Sequence, residues 1–138
     1  MDFHDNGDTL EGFGGDVQLI ALPATSDHRG ELVEFNYALL PFLPQRTFVI
    51  GNVPRGTVRG GHAHKACQQL LTCLKGRIIV DVVSRSHRAG VVLDGSSGAL
   101  YVNAGIWTQQ RYDEDDTLLL VLTSLPFDPG SYLPEPSR

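Results

Sequence analysis

The feature that most constrains this chain is its division into short apolar segments by clusters of turn residues. Nine segments of four to eight residues are rich in β-branched or aliphatic side chains, which favours strands. Turn formers such as Lys75-Gly76 and Asp94–Gly98 separate them. This spacing predicts an all-β fold, a sandwich or jelly-roll β-barrel, in a single domain. The predicted strands are residues 17–22, 31–36, 46–53, 58–64, 69–74, 77–83, 90–93, 99–102 and 117–122.

The regions outside these segments are less regular. Only residues 37–43 are compatible with a brief helix, and prolines within and after that stretch limit it. Residues 1–16 are acidic and glycine-rich, and we expect a flexible segment there, followed by one domain at 17–138. The tail at 127–138 carries three prolines, which predicts an irregular conformation.

Charge and composition exclude several classes of partner. The formal net charge is −5 and the isoelectric point is near 5.4, which argues against non-specific binding of nucleic acid or of an anionic membrane. The first sixteen residues have neither the basic start nor the apolar run of a secretion signal, and no run approaches the roughly 18 apolar residues of a membrane span. Cys67 and Cys73 are six residues apart, and in a continuous extended stretch they would lie about 20 Å apart and could not pair. We therefore expect a cytoplasmic protein.

A pair of histidines is the strongest chemical signal. His62 and His64 are spaced by two, and on a β-strand this spacing puts both imidazoles on one face. Gly60 and Gly61 precede them, and glycine within a strand often marks a bulge or a close approach by backbone or ligand. A single histidine is usually a surface residue, but two on one face beside Arg59 indicate a shared chemical task.

The spacing around the pair is similar to the first cupin motif. Gly56 is followed by the His-x-His pair, by Gln69 and by Gly76 at the intervals of that motif, whose metal-binding form has Glu where this chain has Gln69. In the second cupin motif the histidine position falls at Thr108. Two imidazoles with a neutral amide and a hydroxyl make a poor divalent site. We therefore predict a cupin that uses neither a metal nor another cofactor.

One family resemblance is more specific. The stretch RGGHAHKACQQLLTCLKG is similar to the signature of the WxcM-like cupins, which are sugar 3,4-ketoisomerases. The similarity covers about residues 17 to 133. Its other parts are the Asp27-x-Arg29-Gly30 turn, Arg46, Leu100-Tyr101-Val102 with Trp107, and a fainter Ser131-Tyr132-Leu133.

This resemblance implies a jelly-roll homodimer that binds a dTDP-linked keto sugar without metal. The implied reaction moves the keto group of a dTDP-4-keto-6-deoxyhexose from C4 to C3 through an enediol, in deoxysugar biosynthesis. Imidazole can act as base and as conjugate acid near neutral pH. His64, by analogy with the second histidine of the family, is the expected carbon base. His62 would handle the oxygen proton or polarise the carbonyl, and the two roles could be exchanged.

Further residues are expected to bind the substrate. The developing enediolate needs hydrogen-bond donors, which Arg59 or Gln69 could supply. Arg29 and Arg46 have planar donor groups that suit the diphosphate oxygens. Trp107 could stack on the sugar or the base, although a large aromatic residue is as often part of the core.

Two positions depart from the family pattern. Phe48 stands where the family has Tyr, and Thr108 stands where it has His, so two possible proton carriers are missing. Loss of activity, altered substrate geometry and transfer of the task to another residue all fit this change. The alternatives to an isomerase are a non-catalytic nucleotide-sugar-binding cupin and a metal-dependent cupin enzyme.

Overall fold

The structure is a computed structural model that describes residues 8–138, and strands dominate it. No helix in this part of the chain is long and apolar enough to cross a membrane. Short 3₁₀ helices occupy Asp8–Phe13, Tyr37–Leu39 and Pro129–Ser131. The strands are β1 (Val17–Ile20), β2 (Ala24–Asp27), β3 (Gly30–Val33), β4 (Arg46–Val53), β5 (Val58–His64), β6 (Gln69–Lys75), β7 (Arg77–Val83), β8 (Arg88–Asp94), β9 (Ala99–Val102), β10 (Trp107–Tyr112), β11 (Thr117–Thr123) and β12 (Tyr132–Leu133).

Two antiparallel five-stranded sheets form the body of the protein. One has the strand order β1-β9-β6-β11-β4 and the other β12-β5-β10-β7-β8. Consecutive strands therefore alternate between sheets in several places, as in a jelly roll. The all-β prediction is confirmed, and β4, β5, β7 and β9 have the predicted bounds.

The main core lies between the two sheets. Along β7 every second residue is buried, so Ile78, Val80 and Val82 point inward while their neighbours are only partly covered. Leu71 and Leu119 of the other sheet belong to the same buried cluster. A smaller cluster on the outside of the first sheet contains Leu70, Tyr101 and Leu122 and packs against Leu40 and Phe42.

The beginning of the domain differs from the prediction. Residues 8–13 form a 3₁₀ helix, and Leu10 and Phe13 are buried in the main core. The expected boundary at residue 17 rested on the acidic, glycine-rich composition, which masked these two apolar side chains. This part of the segment belongs to the barrel, because its apolar residues are removed from water there. The remainder of the predicted flexible segment, residues 1–7, lies outside the described residues.

Three strands were not expected from the sequence. Strand β10 has the sequence WTQQRY, whose polar residues hide its strand character. Strand β12 lies in the tail predicted to be irregular, and it pairs with β5. Strand β2 forms a separate hairpin with β3, and every residue of both strands is exposed. The predicted turn at residues 27–30 closes this hairpin, with Asp27 opposite Gly30.

Candidate active site

A cavity of about 400 Å³ opens between the two sheets. This volume is in the range of small-ligand sites. Residues of β4, β5, β6, β10 and β11 line it, together with Tyr132 of β12 and the chain segment that precedes this strand. Seven of the nine predicted site residues line this cavity: Arg46, Phe48, Arg59, His62, His64, Gln69 and Thr108.

A β-bulge in β5 explains why Arg59 faces the same cavity as the histidines. Across the ladder to β10, Thr108 is opposite His62 and Gln110 is opposite Arg59, so the register shifts by one residue between them. Gly60 and Gly61, both with positive φ of 85° and 89°, take up the extra residue. Without the bulge, alternation would place Arg59 on the opposite face from His62. Of the two alternatives expected for the glycine pair, a bulge or a close approach, the structure shows a bulge.

The two imidazoles stand next to each other at the end of β5. Their ring centroids are 5.1 Å apart and their planes are inclined by 79°. The side-chain amide nitrogen of Gln69 lies 3.2 Å from Nε2 of His64. Because an amide nitrogen can only donate, in this arrangement Nε2 of His64 accepts the hydrogen bond and its proton is on Nδ1.

The surroundings favour the neutral form of both histidines. Burial lowers the pKa of His64 to about 4, and the nearby charges of His62 and Arg46 act in the same direction. Burial also lowers the pKa of His62, while a hydrogen bond with the backbone of Gly60 opposes that shift. Desolvation penalises the charged imidazolium, which is the physical cause common to both. At neutral pH the cavity therefore contains two uncharged imidazoles, each able to accept a proton.

The guanidinium of Arg46 contacts two aromatic rings. Its guanidinium carbon is 4.5 Å from the centroid of the Phe48 ring and 5.0 Å from that of Phe127. Cation–π contacts of this kind orient a guanidinium without using its N–H donors. The donors of Arg46 thus stay available for an anionic ligand. Phe48 packs beside the cation but has no hydroxyl to contribute.

Tyr132 of β12 and the chain segment before it form a wall that the sequence did not predict. Tyr132 lines the cavity, and its ring stacks on His62 with a centroid distance of 4.1 Å. Phe127 and Asp128 belong to the same wall. The one available signal was the fainter resemblance of residues 131–133 to the end of the family pattern. Gln110 and Cys67 also line the cavity and were not predicted to do so.

Two predicted site residues do not line the cavity. Arg29 lies at the tip of the exposed β2–β3 hairpin, where its guanidinium is 2.6 Å from a carboxylate oxygen of Asp27. That contact lowers the pKa of Asp27. Trp107 precedes the cavity-facing Thr108 on β10, so alternation turns its side chain to the other face, near Gly61. Neither residue joins the predicted cluster within the chain.

The donor set around the histidines is poor in anionic ligands. In residues 8–138 no group of three or more His, Cys, Asp or Glu side chains is placed to hold a metal ion. The amide of Gln69 and the hydroxyl of Thr108 stand beside the imidazoles, and both are neutral. The prediction of a metal-free site stays a prediction. Cys67 and Cys73 are both free, as expected, and both are buried.

Comparison with known proteins places this geometry in a family. The chain is 31% identical over 108 residues to the TDP-4-oxo-6-deoxy-alpha-D-glucose-3,4-oxoisomerase of Aneurinibacillus thermoaerophilus, covering 78% of each protein. The sugar 3,4-ketoisomerase QdtA of Thermoanaerobacterium thermosaccharolyticum, solved in complex with TDP, superposes with a TM-score of 0.82 at 27% identity, covering 88% of this chain and 89% of QdtA. The TDP-quinovose 3,4-ketoisomerase WlaRB of Campylobacter jejuni, 24% identical, has the same fold, with a TM-score of 0.82 over 88% of this chain and 94% of WlaRB.

These similarities confirm both the expected cupin-type fold and the expected relatives. The family model described as "WxcM-like, C-terminal" matches residues 15–138, which is nearly the whole described chain. The matched range contains the residues of the bulge, the histidine pair and Tyr132. The chain therefore belongs to the WxcM-like family.

Proposed function

We propose that this protein is a 3,4-ketoisomerase of a dTDP-4-keto-6-deoxyhexose, acting in deoxysugar biosynthesis. The observation that carries the proposal is the pair of imidazoles, His62 and His64, side by side in one cavity. Relatives named as TDP-sugar 3,4-ketoisomerases support the substrate class. A variant of QdtA was solved with TDP-4-keto-6-deoxyglucose itself, at 26% identity to this chain.

The reaction needs two proton movements, and the site offers a carrier for each. His64 takes the proton from C3 while negative charge develops on the oxygen of C4. His62, which is uncharged, takes the hydroxyl proton from the oxygen on C3 and gives it to the oxygen on C4. His64 then returns its proton to C4, and the oxygen on C3 becomes the carbonyl oxygen, so the ketone has moved to C3. We assign His64 as the carbon base and His62 as the carrier for the oxygens. Positioned proton transfer of this kind contributes roughly 10² to 10⁴ in rate.

Charged and polar donors surround the place where negative charge develops. Arg59 and Gln69 face the cavity, and we propose that they stabilise the enediolate oxygens. Arg46, which makes cation–π contacts with Phe48 and Phe127, is proposed to bind the diphosphate. Trp107 lies on the other face of β10 from the cavity-facing Thr108. We therefore propose that it does not contact the sugar and that its role is structural.

We further propose that the protein is a cytoplasmic homodimer. The β2–β3 hairpin exposes all of its residues, including Leu32 at 62%, and an isolated two-stranded hairpin is only marginally stable in water. The family resemblance implies a homodimer, and we propose that the second copy of the chain packs against this hairpin. Arg29 lies at the tip of this hairpin, so any role for Arg29 in diphosphate binding depends on that second copy. Sedimentation of wild type and Leu32→Ser tests the proposal, which fails if wild type is monomeric.

The activity is tested with dTDP-4-keto-6-deoxyglucose in deuterated water. We expect wild type to exchange the C3 proton and to form the 3-keto isomer, and His64→Asn to lose about 10² to 10⁴ in exchange rate. His87→Asn is the matched control, since His87 is an exposed histidine outside the cavity. Equal exchange by wild type and His64→Asn, or none by either, contradicts the assignment.

A non-catalytic nucleotide-sugar-binding protein is the second candidate. Phe48 and Thr108 both line the cavity, and neither can replace the proton carriers that the family pattern has at those positions. This candidate predicts calorimetric binding of TDP without any C3 exchange. A metal-dependent cupin is the third, and it requires stoichiometric metal in protein purified without a histidine tag.

A further inference from the structure

Tyr132 is brought to the histidines by β12, a strand of only two residues. Within the ladder Tyr132 lies opposite His64, and Leu133 lies opposite Ala63. The backbone N–H of Lys65 donates to the carbonyl of Ser131 at 2.9 Å, which extends the pairing by one bond. The short 3₁₀ helix before β12 is capped by Asp128, whose carboxylate accepts from the N–H of Gly130 at 2.9 Å. The backbone that carries Tyr132 is thus fixed on both sides.

Three rings contact one another at this point. The Tyr132 ring stacks on His62 with centroids 4.1 Å apart and planes inclined by 17°. The same ring meets His64 edge-on, at 4.9 Å and 85°. The two imidazoles are themselves in an edge arrangement, at 5.1 Å and 79°. Rotation of either imidazole about its side-chain bonds would break a preferred aromatic geometry with Tyr132.

The ring of Tyr132, rather than its hydroxyl, makes these contacts. Within residues 8–138 no side chain is hydrogen-bonded to the hydroxyl, and 40% of the residue surface is exposed. The stacked face, in contrast, covers one side of His62. Burial of His62 is also what lowers its pKa, so the ring both orients this imidazole and keeps water from it.

We propose that Tyr132 is a positioning residue whose ring holds the imidazoles of His62 and His64 in the mutual orientation that proton transfer needs. This inference rests on the proposed function for its catalytic consequence. Its structural part, the orientation and desolvation of His62, does not depend on any substrate.

Two variants separate ring from hydroxyl. Tyr132→Phe keeps the ring, and we expect the pKa of His62 to stay lowered and kcat to stay within about twofold of wild type. Tyr132→Leu removes the ring and opens His62 to water, so we expect the pKa of His62 to rise towards its ordinary value. Misplaced imidazoles should also lower kcat about 10- to 100-fold while KM changes little.

The pKa values are measured by NMR titration of the histidine side chains in protein without sugar, and kcat by the C3 exchange assay. Tyr37→Leu is the matched control, because Tyr37 is an exposed tyrosine outside the cavity. A thermal melt and the amide spectrum establish that each variant is folded. Should Tyr132→Leu itself fail to fold, Tyr132→Met keeps an apolar side chain without a ring and takes its place.

The proposal is overturned if a folded variant without the ring titrates like wild type, or if Tyr132→Phe loses as much activity as Tyr132→Leu. Failure of the proposed function has a different signature. Wild type would then show no C3 exchange, while the titration of His62 would still respond to removal of the ring.

Discussion

The side-chain amide of Gln69 is hydrogen-bonded to Nε2 of His64 at 3.2 Å. An amide donor in this position requires an unprotonated ring nitrogen, so it favours the neutral imidazole. Burial acts in the same direction and lowers the pKa of His64 to about 4. A metal-binding carboxylate at the same position would act oppositely, because it would attract either a cation or a second proton on the ring. An amide rather than an acid at position 69 thus avoids the negative charge that would favour the protonated form of the proposed base.

The first prediction concerns the pH dependence of catalysis. A base must be unprotonated to act, and His64 with a pKa of about 4 is unprotonated throughout the neutral range. We expect kcat/KM for C3 exchange to be flat between about pH 6 and 8 and to fall only well below the reference imidazole value of about 6.5. Initial rates measured across this range check it. An acidic limb centred at the reference value would show that His64 is not desolvated, or not the base.

The same shift has a consequence for stability. The folded-state pKa of His64 lies below its unfolded value of about 6.5, so as the pH falls from about 6.5 towards 4 the unfolded chain takes up a proton first. The contribution to stability is complete above this window and is lost within it. We expect the urea midpoint of wild type to fall more steeply over this window than that of His64→Gln. Parallel curves for the two proteins would contradict the shift.

Gln69→Glu should change both the protonation of His64 and the metal affinity of the site. A carboxylate beside His64 favours the imidazolium, so we expect the acidic limb of the rate profile to move to higher pH. The variant also gains a third ionisable ligand next to two imidazoles, so it should bind Zn²⁺ more tightly than wild type. Rate profiles and elemental analysis measure both effects. Gln68→Glu is the control, since Gln68 accepts a hydrogen bond from Tyr101 and does not line the cavity. A profile shared by both variants refutes the local explanation.

The glycine pair in the bulge supplies a matched comparison. A Cβ added to Gly60 would lie 3.1 Å from the carbonyl oxygen of Thr108, which is backbone and cannot move aside, and φ is also positive. At Gly61 the nearest atom is 3.9 Å away, so the strain there comes from φ alone. Gly61→Ala should cost about 1 to 2 kcal/mol in free energy of unfolding, and Gly60→Ala more. Chemical denaturation measures the difference, and equal losses would mean that contact with Thr108 is unimportant.

Substitution of Arg46 tests whether TDP binding depends on the planar guanidinium group or only on its positive charge. Arg46→Lys keeps the charge but has no planar guanidinium to contact Phe48 and Phe127, and it cannot offer a bidentate donor pair. We expect TDP to bind about tenfold more weakly, which corresponds to about 1.4 kcal/mol. Calorimetric titration at two salt concentrations checks this. Arg55→Lys, an exposed arginine outside the cavity, is the control, and an unchanged affinity in Arg46→Lys would remove Arg46 from the diphosphate site.

Much of the fold could be predicted from local pattern because the buried strands carry it. Along β7 inward and outward residues alternate over the full strand, and its bounds follow directly. Strand β10 was not predicted because Thr108 and Gln110 face the cavity rather than the core. Both are polar, so the strand has no alternation of apolar and polar residues. The burial of Leu10 and Phe13 was not predicted for a related reason, since two apolar residues in an acidic segment do not form a recognisable pattern.

Only the part of the site formed by residues close together in the sequence could be predicted. His62 and His64 share a face because of their spacing, and that much follows from the sequence. Placing Arg59 on that face requires knowledge of the register with β10, and placing Tyr132 there requires a contact between residues far apart in the chain. Arg29 shows the converse, because a residue type suited to phosphate lies on a hairpin that does not approach the cavity of its own chain.

Because of the bulge in β5, the residues of this strand that face the cavity do not follow the two-residue alternation of a regular strand. Two glycines occupy the position of one strand residue, so a chain lacking Gly61 would present Arg59 and His62 to the cavity from a regular strand, two residues apart. When this segment is aligned with a protein of that shorter kind, the arginine and the histidine correspond only if a gap is placed between them. A gap-free alignment would pair the arginine of one protein with a glycine of the other and assign the wrong residue to the site.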